Sequence, residues 1–215
     1  MPGGVLVQHP RARELYAPYL AVGHHVAAGM IYLMEAALAE ARDLAPGDAV
    51  ARGLATYLER HIPEERHGDE PGGGILADLA ALGVDTEAVR AEPASPKIAA
   101  LIGAVYYWIV HTHPVAVLGY LQLEAFQPDA MSIERLIQRT GLPRDGFRQL
   151  LLHAELDVGH AHELEHVIDS LPLEPWHERL IGLSALHTIS MLTDAFLDVV
   201  EGAVVPRQPA FSDAL

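Results

Sequence analysis

Cysteine is absent from all 215 residues, which removes disulfides, thiolate zinc sites, iron–sulfur clusters and cysteine nucleophiles together. Any metal must then be held by His, Asp and Glu. Positive charge is scarce: 14 Lys and Arg face 29 Asp and Glu, a formal net charge of −15. Such a chain has nothing to attract a phosphate backbone, so no nucleic-acid partner is expected. Long apolar runs are missing too. The longest, Ile98 to Val110, is 13 residues bounded by Lys97 and His111, a length that suits a buried helix and falls short of a bilayer. Met1 to Tyr16 carries Arg11 and Arg13 but no apolar stretch followed by a small-residue cleavage site. A cytoplasmic protein without membrane anchor is therefore expected. What the chain does have is apolar content of 50%, enough for a real core, and 13 clustered histidines.

Ala, Leu, Glu and Arg fill most segments, while Gly and Pro collect in short punctuating stretches, a pattern that predicts an all-α chain. A first helix is expected from about Leu20 to Leu44, ended by Ala45-Pro46-Gly47, and Asp48 caps a second reaching about His67. Gly68-Asp69-Glu70-Pro71-Gly72-Gly73-Gly74 then interrupts. A short helix spans Ile75 to Leu82, and a Pro-containing linker follows. Ser95-Pro96 opens an apolar helix that kinks at Pro114 and ends near Phe126, with Tyr106, Tyr107 and Trp108 read as core. Asp129 or Ser132 starts a short helix stopped by Gly141, Pro143 leads into one reaching Ser170, and Leu173-Glu174-Pro175 opens the last, to about Glu201. The expectation is a single helical domain over 1–215, a bundle of about seven or eight helices.

The chemistry concentrates in His153-Ala154-Glu155-Leu156-Asp157-Val158-Gly159-His160. At about 100° per residue, positions 153, 157 and 160 fall near 0°, 40° and −20° of one stripe. Leu164 and Leu171 share it, so it is the centre of the buried face, whereas Glu155, His162, Glu165 and Asp169 fall on the opposite, wet face. Burying two imidazoles and a carboxylate together is costly unless they are paired, and shared metal coordination satisfies all three. Glu64 and His67, three apart, are neighbours on one helix face; a charged helix end is the plainer alternative there. Glu124 lies on a stripe with His113, Val117 and Tyr120, and no Arg or Lys between Lys97 and Arg135 can pair with it locally. Glu64, His67, Glu124, His153, Asp157 and His160 have the composition of a non-haem di-iron site.

These motifs resemble the haem-oxygenase-like di-iron oxidases and oxygenases: His-xxx-Asp-xx-His on a late helix, a lone Glu about thirty residues earlier, and Glu-xx-His on an early helix. The runs His61-Ile62-Pro63-Glu64-Glu65, Asp78-Leu79-Ala80-Ala81-Leu82-Gly83-Val84-Asp85, His113-Pro114-Val115-Ala116-Val117-Leu118-Gly119-Tyr120 and Ser184-Ala185-Leu186-His187-Thr188 extend the likeness. Together they resemble bacterial iron-containing redox enzymes over about 47–201. The resemblance implies a haem-oxygenase-like fold and two Fe(II) ions per chain on those six ligands, with no catalytic residue beyond them. It further implies O2-dependent oxidation of a small amino acid, amine or fatty acid, with room for an external electron donor and for a homodimer. The chain departs from the pattern at Glu70-Pro71-Gly72-Gly73-Gly74, immediately after His67, which makes His61 an alternative ligand there.

Rival readings use other residues. Glu35, Glu64-xx-His67, Glu124 and Glu163-xx-His166 reproduce the order of a ferritin-like di-iron protein, but that choice leaves His153, Asp157 and His160 buried without a role. A cofactorless relative of the same fold, thiaminase-like or quinone-forming, would use polar groups for acid–base work and needs no three-ligand stripe. A helical binding protein would carry leucines at 153 and 157. His162 with His166 reads as a solvated pair, His24 as a polar contact in a substrate pocket, and His111 and His187 as core residues or neighbours of the ligands.

Overall fold

The computed structural model describes residues 6–66, 73–122 and 129–202, and for 155–161 the backbone alone. It is all-α. After a short helical stretch at 6–8, the described residues include nine α-helices: α1 (Ala12–Leu44), α2 (Ala49–Glu65), α3 (Gly73–Ala81), α4 (Thr86–Ala91), α5 (Pro96–His111), α6 (Val117–Leu121), α7 (Ala130–Thr140), α8 (Arg148–Ser170) and α9 (Pro175–Glu201). Tight 3-10 turns at Pro114–Ala116 and Arg144–Phe147 lead into α6 and α8.

Side-chain caps place four of these helix starts, each accepting a backbone N–H that the first turn leaves free. Asp48 accepts from Ala51 at 2.9 Å, Ser95 from Ile98 at 3.3 Å and Asp129 from Ser132 at 3.0 Å. Asp85 accepts from Glu87 and Ala88 and so starts α4, inside the stretch expected to be linker. At the other end of α7, Gly141 adopts φ 60°, a left-handed conformation that costs glycine nothing.

The expected kink at Pro114 is instead a full break. His113 is extended, φ −165° and ψ 140°, because a residue before proline is pushed out of the helical region. Its Nδ1 accepts from the Val115 N–H at 3.2 Å, which caps the following turn.

Two apolar clusters make the core. The larger gathers Leu33, Met34, Leu54, Leu58, Leu101 and Leu118 with many others from α1, α2, α5, α6, α8 and α9. The smaller gathers Leu15, Tyr16, Leu76, Leu79, Ile133 and Phe147, with Tyr16 stacked on Phe147 at 4.2 Å. Helix α8 joins them: Leu150, Leu151 and Ala154 pack on the smaller cluster, and Leu164, Val167 and Leu171 on the larger. The stretch between carries Asp157 and His160 of the expected ligand stripe, with His153 just before it.

Two expectations fail on the outer side of α5. Tyr106 and Tyr107 are exposed, and so is His111. The buried stripe is Ile98, Leu101, Val105 and Ile109, so the tyrosines, on the other side of an evenly apolar helix, face outward. Trp108 alone of the three packs against the core. Helix α9 is long and apolar enough to cross a membrane by length and composition. One side of it, including Leu180, Ile181, Ser184, Thr188, Ala195, Phe196 and Val199, is buried in the bundle.

Candidate metal centre

From His162 onward, helix α8 faces as its pattern predicts. Leu164, Val167 and Leu171 are buried, while His162, Glu165, His166 and Asp169 are exposed. Asp157 and His160 lie on the helical backbone between these two sets; their side chains are outside the described residues. His153 is half-buried, and its Nε2 lies 2.7 Å from the Gln149 amide one turn earlier.

Glu64 sits in the last turn of α2, which ends at Glu65 with Arg66 as its C-cap. His67 and Glu124 fall outside the described residues. What Glu64 meets is His61 and Glu163, one ligand-type atom from each lying within 4.8 Å of the others. His61 is completely buried, stacked on Tyr57 at 4.9 Å. Its Nδ1 lies 3.7 Å from Glu64 and its Nε2 3.9 Å from Glu65. Glu163 is also paired with Arg60. His61, the alternative ligand on α2, is thus the imidazole found beside Glu64.

This contact fixes where α2 addresses α8. Glu163 is three residues past His160 and ten past His153, about 4.5 and 15 Å along the axis at 1.5 Å per residue. Glu64 therefore comes to the His160 end of the stripe. Sequence reasoning left Glu163 to the ferritin-like reading because it sits on the flank of the apolar face; only the approach of α2 makes it relevant. Of that rival set, His67 and Glu124 lie outside the described residues. Glu35 pairs with Arg66, and His166 faces solvent.

A buried carboxylate with no role in the sequence reading anchors the start of α8. Phe147, the N-cap of α8, makes no side-chain capping bond. Asp78, on α3 and 1% exposed, supplies the acceptor instead: its Oδ2 takes the Gln149 N–H at 2.9 Å. Its Oδ1 has no hydrogen-bond partner. Burial pushes the Asp78 carboxyl up to about 6 despite the backbone N–H groups of Gln149 and Arg148 that favour the charged form. The signal was present, since Asp78 is a lone carboxylate on an apolar helix, the same argument applied to Glu124.

A second group, Asp48, His113 and His177, also brings ligand-type atoms within 4.8 Å. Its hydrogen bonds argue against a cation. The Val115 N–H donates to His113 Nδ1 at 3.2 Å, and the Glu174 N–H to His177 Nδ1 at 3.0 Å. Both imidazoles therefore carry hydrogen on Nε2 and offer donors, whereas a ligating imidazole donates from its other nitrogen. His113 Nε2–H faces Asp48 Oδ2 at 3.2 Å, and the Trp176 ring lies tilted against His177 at 3.6 Å. Burial and neighbouring His177 lower the His113 pKa, outweighing Asp48. Burial opposes ionisation of Asp48, but the Ala51 N–H and His113 hold its carboxyl below the usual range. The group clamps the start of α2 to the turn at Pro114.

Of the remaining histidines, His24 is buried with its ring 5.4 Å from that of His25. Burial, then His24, lowers the His25 pKa. His187 is half-buried, edge-on to Trp108 at 5.4 Å, and its Nε2 has no hydrogen-bond partner.

By donor chemistry, the His61, Glu64 and Glu163 group fits iron: carboxylate oxygen and imidazole nitrogen from two helices, with no thiolate required. A family model described as iron-containing redox enzyme matches residues 74–192. The match includes Glu124, His153, Asp157 and His160 and begins after Glu64 and His67. A domain of unknown function with a haem-oxygenase-like fold from Shewanella denitrificans superposes with a TM-score of 0.76 at 18% identity, over 94% of this chain and 84% of that one. A CADD-like protein of unknown function from Nostoc punctiforme gives 0.64 at 17%, over 95% and 88%. The fold is haem-oxygenase-like. No curated protein matches the chain.

Proposed function

The chain belongs to the iron-containing redox enzyme family, and on that premise we propose that it is a non-haem di-iron oxidase or oxygenase that uses O2 to oxidise a small organic substrate. The observation that carries the reading is the meeting of His61 and Glu64 with α8 at Glu163. It brings donors from α2 to within a turn of His160, on the helix whose His-xxx-Asp-xx-His motif lies inside the family match.

The proposed ligands are Glu64, Glu124, His153, Asp157 and His160, with His67 or His61 completing the set from α2. When bound, two Fe(II) ions would supply electrons for O2 reduction and open positions for O2 to enter. The chain's own contribution is charge, orientation and dryness. Carboxylates from separate helices would offset the cation charge, with the imidazoles of the α8 motif as the nitrogen donors. The apolar clusters at either end of the α8 stripe keep water from the reacting groups. An amino acid, amine or fatty acid is the proposed substrate class, an external donor would supply the electrons that keep bound iron ferrous, and the cytoplasm is the proposed compartment.

The test is anaerobic loading with Fe(II), then stopped-flow mixing with O2 in the presence of panels of amino acids, amines and fatty acids. The expected result is O2 consumption with a transient absorbing species, dependent on one substrate class. Fe(II)-loaded protein that consumes no O2 with any panel would overturn the proposal.

A further inference from the structure

Gln149 is held from two sides. Its backbone N–H is fixed by Asp78 at 2.9 Å, and its amide oxygen rests directly over Gly74, so closely that a Cβ at position 74 would overlap it. Glycine at 74 is therefore what gives the side chain its place. The nitrogen of the same amide lies 2.7 Å from His153 Nε2. A half-turn of the amide exchanges its oxygen and nitrogen at these two positions, and the partner's chemistry decides which end faces the ring.

An imidazole that ligates a metal through one nitrogen carries hydrogen on the other and donates it to a fixed acceptor, which sets the tautomer and the ring's orientation. We propose that Gln149 is the positioning residue for His153, accepting the Nε2–H through its amide carbonyl and leaving Nδ1 as the nitrogen that faces the metal. The inference rests on the reading of His153 as an iron ligand. Three elements cooperate in it: Asp78 on α3 anchors the first turn of α8, Gly74 leaves room for the amide, and the amide holds the ring one turn later.

The test uses the full-length, metal-free protein titrated with Co(II), whose visible absorption reports nitrogen and oxygen ligation, with equilibrium dialysis for stoichiometry. Gln149→Met keeps the length and helical preference of the side chain but removes the acceptor. Loss of such a partner lowers metal affinity by about 10- to 100-fold, and that loss is expected at one metal position. Gly74→Ala displaces the amide without altering α8 and should cause the same change. Gln149→Glu retains an acceptor and should bind Co(II) at least ten times more tightly than Gln149→Met, by the same range for an outer partner. A purely structural role would not predict that rescue. If Gln149→Met folds poorly, Gly74→Ala against Gln149→Glu carries the same comparison. The proposal is overturned if Gln149→Met or Gly74→Ala binds Co(II) as tightly as the parent, or if Gln149→Glu binds no better than Gln149→Met. A parent that takes up no Co(II) would instead defeat the metal-site reading on which the inference stands.

Discussion

Replacing Asp78 with Asn isolates the cost of burying the carboxylate that caps α8. Its pKa rises from 3.8 to about 6 in the folded protein. Below about pH 3.8 the group is protonated in both folded and unfolded chains and imposes no penalty. As pH rises, the unfolded chain releases the proton first, while the folded chain holds it until about pH 6. Stability from this group is therefore lost as pH rises through that window. The shift of about two units corresponds to about 3 kcal/mol. Asn at 78 removes the charge and can still accept the Gln149 N–H, and every other carboxylate is common to both proteins, so their contributions cancel in the difference. Urea unfolding of the metal-free parent and Asp78→Asn, followed by circular dichroism at intervals from pH 4 to 8, should show the parent losing about 2.5 kcal/mol relative to the variant between pH 4 and pH 7. The difference should be flat above that pH. A pH-independent difference, or a parent that gains on the variant as pH rises, would refute the burial argument.

Gly119 of α6 and Gly182 of α9 should respond oppositely to alanine. A Cβ on Gly119 would lie 2.6 Å from Ser184 Cβ and 2.7 Å from Ala185 N, with the Ile181 carbonyl closer still. Because two of these are backbone atoms that cannot turn aside, Gly119→Ala should cost about 3 kcal/mol in urea unfolding. Gly182, inside α9, has nothing within 4 Å, and Gly182→Ala should stabilise by about 0.5–1 kcal/mol. Asp48→Ala removes a cap and strands the buried His113 Nε2–H, for a loss of about 2–4 kcal/mol at pH 7. Since the Asp48 pKa is depressed, that loss should shrink as pH falls below the ordinary carboxylate range. A loss unchanged at acid pH would show that the charge is not what matters.

Helix starts were legible because a cap is local: Asp48, Ser95 and Asp129 announce their helices within three residues. The wet face of α8 was legible for a related reason, since His162, Glu165 and Asp169 recur at helical spacing. Facing failed where a helix is apolar all round. In α5 nothing in the chain distinguishes Tyr106 and Tyr107 from Val105 and Ile109, and only the positions of α1 and α9 decide which side is covered. Glu163 was illegible as a partner of Glu64 because their nearness depends on how α2 crosses α8, which no local pattern encodes. The break at His113 was a matter of degree, because proline restricts the residue before it but does not say whether the helix bends or stops.

The central claim is that the interior stripe of α8 holds iron. It is tested most directly by iron content per chain after anaerobic loading and removal of free metal, in the parent, His153→Ala, Asp157→Ala and His162→Ala. The account predicts up to about two ions in the parent, a loss of most metal in His153→Ala and Asp157→Ala, and parental content in His162→Ala, whose side chain is exposed. Equal losses in His162→Ala and His153→Ala would contradict it, because the metal would then lie on the outer face of the helix.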